Sequence, residues 1–228
     1  MEDFERYGDY DERDYEEHKK SGWLGIFLKV CIFAVCASVI LILGFRLVIF
    51  KSYPASMKNI YFTDALTEYY HEKNGDINAK TQKLRAPYDN PDFANFFCDN
   101  LIIIEGVGEL QISVRYNESA IEAMEEKYEL SGLIAGSEDL LSFRLSDNYG
   151  NVYDTVAHIE YDAKYMYHYI KLVFSGVSFE KAEWIRLEVF VNEAESDEPY
   201  AMVAIYENNE NYSAFSDYNL SSKEKPNK

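Results

Sequence analysis

The chain has 228 residues, with 40 Asp or Glu against 22 Lys or Arg and a net charge of −18. That balance excludes a nucleic-acid binder, which needs Lys and Arg clustered against phosphate. The three cysteines exclude a disulfide-built mini-domain, because Cys31 and Cys36 both lie inside one apolar block.

Residues 1–22 hold nine acids and four bases, net −5, with Tyr7, Tyr10 and Tyr15 interspersed. So short and charged a stretch buries too little to fold alone, and it is expected to be a disordered cytoplasmic tail. Residues 23–50 read as a transmembrane helix. Their only charges are Lys29 and Arg46, and the 16 residues between them, VCIFAVCASVILILGF, are uncharged. With flanking turns this run is long enough for a hydrocarbon core of roughly 30 Å. Trp23 and Tyr53 stand where interfacial aromatics are favoured, and Lys29, Arg46 and Lys51 have stems long enough to carry their charges to the two surfaces. The run is too long for a signal-peptide core, and no small-residue cleavage site follows it, so it reads as an uncleaved anchor. Arg13, Lys19 and Lys20 on the amino side against Lys51 and Lys58 on the other favour a cytoplasmic N-terminus.

Residues 51–95 read as an irregular approach segment with one short helix, TDALTEYYHEKNG, capped by Thr63 and stopped by Asn74-Gly75. Pro87 and Pro91 frame a polar loop. From residue 96 to 206 the period is two. ELQISVRY alternates Leu110, Ile112, Val114 and Tyr116 with Glu109, Gln111, Ser113 and Arg115, the pattern of a half-buried strand. LIIIE before it suits a central strand. LLSFRLS turns through DNYGN, with VYDTVAHIEY expected as its partner. YMYHYIKLVF, WIRLEVFV and YAMVAIY complete about seven strands. One helix, SAIEAMEEKYEL, is expected to open with Ser119 and Glu122 as a capping box and to end at Gly132. Residues 207–228 are expected to be a flexible tail. Residues 52–228 together carry a net −16, which discourages contact with anionic lipid and wall polymers.

The pattern predicts a mainly β protein: one transmembrane helix, then an antiparallel β-sandwich with one or two short inserted helices. FRLSDNYGNVY followed by YIKLVFSGVSF resembles segments of membrane-anchored, immunoglobulin-like proteins of Gram-positive bacteria. The resemblance covers residues 96–206. It implies an immunoglobulin-like, extracytoplasmic binding or assembly module, and it carries over no catalytic residue.

No catalytic, cofactor or metal constellation stands out. His158 and Glu160 share a strand face and His168 lies on a later strand, but no ligand spacing joins them. Cys98 beside Asp99 reads as a buried structural thiol rather than a nucleophile. The candidate binding surface is aromatic. If YMYHYIKLVF and WIRLEVFV pair as a hairpin, Tyr165, Tyr167, Tyr169 and Trp184 share one outward face suited to sugar rings or a partner's apolar patch. The expected role is a non-enzymatic, single-pass membrane protein presenting an acidic domain to an envelope protein or glycan. Its rivals are an envelope hydrolase using carboxylates and a regulator signalling through the N-terminal tail.

Overall fold

The computed structural model describes residues 12–82, 96–180, 182–207 and 216–219. The chain divides into two units at Ser52/Tyr53. The first is a single helix, α1 (Glu12–Lys51). Within Gly22–Ile49 its mean hydropathy is 2.9, long and apolar enough to cross a membrane. Phe33 and Leu41 stand 75% and 73% exposed, which is tolerable in lipid and unfavourable in water. Trp23 stacks on Phe27 at 6.2 Å. The expectation of a disordered tail over residues 1–22 is corrected for residues 12–22, which are helical. The apolar span supplies a formed helix, and EEHKK extends it at little further nucleation cost. Residues 1–11 lie outside the described residues.

The second unit starts with α2 (Ala55–Lys58) and α3 (Asp64–Glu72). Among the described residues ten strands follow, and all their pairings are antiparallel. They are β1 (Asn78–Gln82), β2 (Phe97–Ile104), β3 (Glu109–Tyr116), β4 (Leu141–Asp147), β5 (Val152–Tyr153), β6 (Val156–Lys164), β7 (Tyr167–Phe174), β8 (Trp184–Val191), β9 (Ala201–Glu207) and β10 (Ser216–Asn219). One sheet has the order β10-β1-β2-β3-β7-β6 and the other β5-β4-β8-β9. Ile112, Val114 and Leu172 of the first sheet join Phe143, Leu187 and Val189 of the second in one buried cluster. Each such side chain contributes about 1.5–3 kcal/mol on leaving water. Cys98 is buried in this cluster.

Local signals explain the element ends. The Thr63 side chain accepts from the Leu66 N–H at 3.1 Å, and Asn74 and Gly75 leave α3 in left-handed backbone, both as the sequence predicts. The later helix, α4 (Glu118–Tyr128), differs. Its cap is Asn117, whose side chain accepts from Ala120 N at 3.3 Å, not Ser119. It ends at Glu129 in the left-handed region, before Gly132. Because β3 runs to Tyr116, the extended residue that must cap the helix is the very next one.

Four further expectations are corrected. The β7 and β8 strands do not pair: β7 lies between β3 and β6, whereas β8 lies between β4 and β9. The partner expected for β4 is split, since only Val152–Tyr153 pairs with it and β6 belongs to the other sheet. The 51–95 segment is not irregular throughout, because β1 pairs with β2; nor is the tail from 207 wholly unstructured, because Ser216–Asn219 pairs with β1. The loop around Pro87 and Pro91 lies outside the described residues.

Candidate functional site

The strand β3 alternates as its sequence predicts, yet all eight of its residues are buried. Leu110, Ile112, Val114 and Tyr116 face the common core. Glu109, Gln111, Ser113 and Arg115 face the other way and are also covered, at 0%, 0%, 1% and 2% exposure. Their cover is the chain from Tyr53 to Thr63, which crosses the sheet antiparallel to β3.

Polar groups meet in sequence along this strap. The Thr63 hydroxyl donates to the Glu109 carboxylate. Gln111 accepts from Tyr61 N at 2.9 Å and donates to Tyr61 O at 2.7 Å. Ser113 donates to Met57 O at 2.9 Å. On β7, Lys171 donates to Ser56 O at 3.1 Å and to Asn59 O. Ser56 in turn donates to Asp162 of β6 at 2.7 Å. At the Tyr53 end, the Arg115 guanidinium lies 4.9 Å from the Tyr53 ring, 4.8 Å from Phe97 and 5.1 Å from Tyr167, a cage of cation–π contacts. Tyr53 also meets Tyr169 edge-on at 5.1 Å. Further along, His158 stacks flat on Tyr61 at 3.6 Å.

An apolar patch secures the same segment beside the polar row. Ile60 and Leu66 pack with Ile77, Ala79, Ile102 and Ile104. This explains why LIIIE is apolar without alternation: Leu101 and Ile103 face one core, Ile102 and Ile104 the other. Gly106 completes the seat, because a Cβ there would collide with the Tyr69 ring of α3.

Electrostatics follow from this cover. Burial raises the Glu109 pKa, opposed by its hydrogen bonds from Thr63 and Gln111. Burial lowers that of His158; Glu160 opposes this and Lys171 adds to it. Burial raises that of Tyr169, against the pull of Arg115. Three ionisable side chains, Glu109, Arg115 and Lys171, are thus buried under a peptide segment, where hydrogen bonds and ring contacts must compensate lost hydration.

The aromatic stripe expected from sequence does not form one surface. Tyr169 is 1% exposed beneath the strap, Tyr167 is half-buried at the Arg115 cage, and Tyr165 is 65% exposed in the β6–β7 turn. Trp184 is on β8 in the other sheet, with Arg186 over its ring at 4.1 Å. Alternation places residues on a face but is silent about what covers it, and the stripe also needed a β7–β8 hairpin that is not made. His158 and His168 lie on opposite faces of their sheet, against Tyr61 and Tyr116 respectively. Among the described residues no three His, Cys, Asp or Glu side chains are grouped to hold a metal ion.

At the opposite end an open cleft of about 480 Å³ is lined by Gly108, Val177, Phe179, Glu105 and Glu180. Glu105 is tied to Lys80 at 2.6 Å. Sequence reasoning missed the row Glu109, Gln111, Ser113, Arg115 and Lys171 as a site. The available signal was a long run of polar residues opposite a segment with too few apolar residues to fold by itself. Comparison of the chain with protein-family profiles, with curated proteins and with solved structures gave no match.

Proposed function

We propose that this chain is a single-pass membrane protein that presents an acidic, non-enzymatic β-sandwich outside the cytoplasm for binding or envelope assembly. The observation that carries this reading is the Gly22–Ile49 span of α1, long and apolar enough to cross a membrane, with a separate folded unit beginning at Tyr53. The strand order favours the immunoglobulin-like kind. Taking β2, β3, β7 and β6 as A, B, E and D, and β5, β4, β8 and β9 as C′, C, F and G, gives the two sheets of that fold. The α4 helix is then an insertion between B and C, and β1 with β10 extends the first sheet. Lys19 and Lys20, within α1 just before its apolar span, support a cytoplasmic N-terminus.

The strap gives the module its particular character. Its backbone is held by side chains of the sheet, so residues 53–63 belong to the folded domain itself. The test has two parts. Carbonate washing of membranes should leave the full chain in the pellet, and protease added to intact cells or wall-stripped protoplasts should digest the C-terminal unit. Release by carbonate would sink the anchor; protection of the C-terminal unit would reverse the orientation.

A further inference from the structure

The β6–β7 hairpin closes on Lys164 and Tyr167 with a two-residue tip, Tyr165-Met166. Such tips favour Gly, Asn or Asp, because one or both central residues need positive φ. Here Tyr165 takes φ 58, an uncommon state for a bulky side chain. Both tip side chains point into solvent, 65% and 56% exposed. The Tyr165 ring meets only the neighbouring Lys164 ammonium, at 5.8 Å, an exposed contact of about 0.5–1 kcal/mol, so the choice of a strained aromatic here points to a use outside the fold.

The tip shares its end of the domain with two other features. Tyr167, the residue after it, belongs to the Arg115 cage that holds Tyr53. The loop carrying Ile134, 71% exposed, reaches the same end: Gly136 donates to the Tyr116 hydroxyl at 3.2 Å, and its missing Cβ makes room for His168, which pairs with Ala163 next to the tip. Tyr53 is four residues beyond Ile49, the last residue of the apolar window, a reach of no more than about 14 Å. Tyr165, Met166 and Ile134 are thus exposed at the same end of the domain as Tyr53, which stays within that reach of the apolar window, and Tyr is a side chain that settles at a lipid interface.

We propose that the Tyr165-Met166 tip, with Ile134, rests in the interface of the bilayer that the anchor crosses. The contact rests on the anchor reading above. It is apolar and interfacial rather than a headgroup charge pair, in keeping with the acidity of residues 52–228.

The test uses the full chain in phosphatidylcholine nanodiscs. Cys31→Ala and Cys36→Ala remove the accessible thiols, and Cys98, 3% exposed, stays buried. A nitroxide is attached at Met166→Cys, or for comparison at Tyr149→Cys, an exposed turn position at the far end. Power saturation then compares access of oxygen, which concentrates in lipid, with that of a water-soluble nickel chelate. The expected result is a several-fold shift toward oxygen at position 166 and none at 149. If the chain co-purifies with the disc and both positions favour the chelate equally, the lipid contact is overturned and the anchor stands. If the chain elutes without the disc, the anchor reading falls and the contact with it.

Discussion

Gln111 holds both backbone polar groups of Tyr61, accepting from its N–H at 2.9 Å and donating to its C=O at 2.7 Å. A side-chain amide here does what a neighbouring strand would do, fifty residues away in sequence. Gln111→Ala leaves both Tyr61 groups without this partner under a covered sheet, at a cost of about 2 kcal/mol. Urea unfolding of the full chain in detergent should show a lower midpoint with an unchanged slope. An unchanged midpoint would mean that the Gln111 pair contributes nothing net.

Glu109 makes stability depend on pH in a defined direction. Its folded pKa is raised by burial, so the folded state binds its proton more tightly than the unfolded chain does. Its contribution is therefore fully present below the ordinary glutamate pKa and is lost as pH rises through the raised value. Glu109→Gln, which still accepts from Thr63, should raise the melting temperature at pH 7 and match the parent at pH 4. A variant less stable at pH 7 would contradict the assignment.

The Arg115 cage should control access to the strap. Arg115→Ala removes three ring contacts of about 0.5–1 kcal/mol each. Trypsin cleavage after the exposed Lys58 should then be roughly ten times faster or more, since local opening sets the rate. Arg115→Lys keeps the charge without the planar face and should recover only part of the protection. Equal cleavage of all three proteins would show that Arg115 does not restrain the segment.

Tyr165→Asn relieves left-handed backbone at the hairpin tip and should stabilise the folded chain in detergent by about 0.5–1 kcal/mol. Thermal unfolding reads this directly, and a loss of stability would show that the Tyr165 ring packs rather than protrudes.

The elements were legible in the sequence to different depths. The α1 helix, the Thr63 cap, the Asn74-Gly75 stop and the inward rows of β3, β4, β7 and β8 all follow from periodicity and end chemistry, which are local. The two-sheet arrangement was less legible because pairing is not local. YIKLVF and WIRLEVFV are consecutive strands, yet the chain between them crosses from one sheet to the other. The candidate site was least legible. Glu109, Gln111, Ser113 and Arg115 have the composition of a solvated face, and only the strap laid over them makes them interior. Ser119 lost the cap to Asn117 for a similar reason, since the end of β3 decides where the helix begins.

The polarity of the covered face determines how the domain would respond to tension. Along the strap from its Tyr53 end, tension meets Tyr53 first, then Ser56 and Met57, then Tyr61 and Thr63, so the contacts are loaded in chain order. Each step yields at the modest load of one or two hydrogen bonds. The surface uncovered along β3 is Arg115, Ser113, Gln111 and Glu109, which water wets readily, while the main core on the other side of the sheet stays shut. Peeling along β3 therefore exposes no adhesive apolar patch there, and the strap can settle back when the load is released.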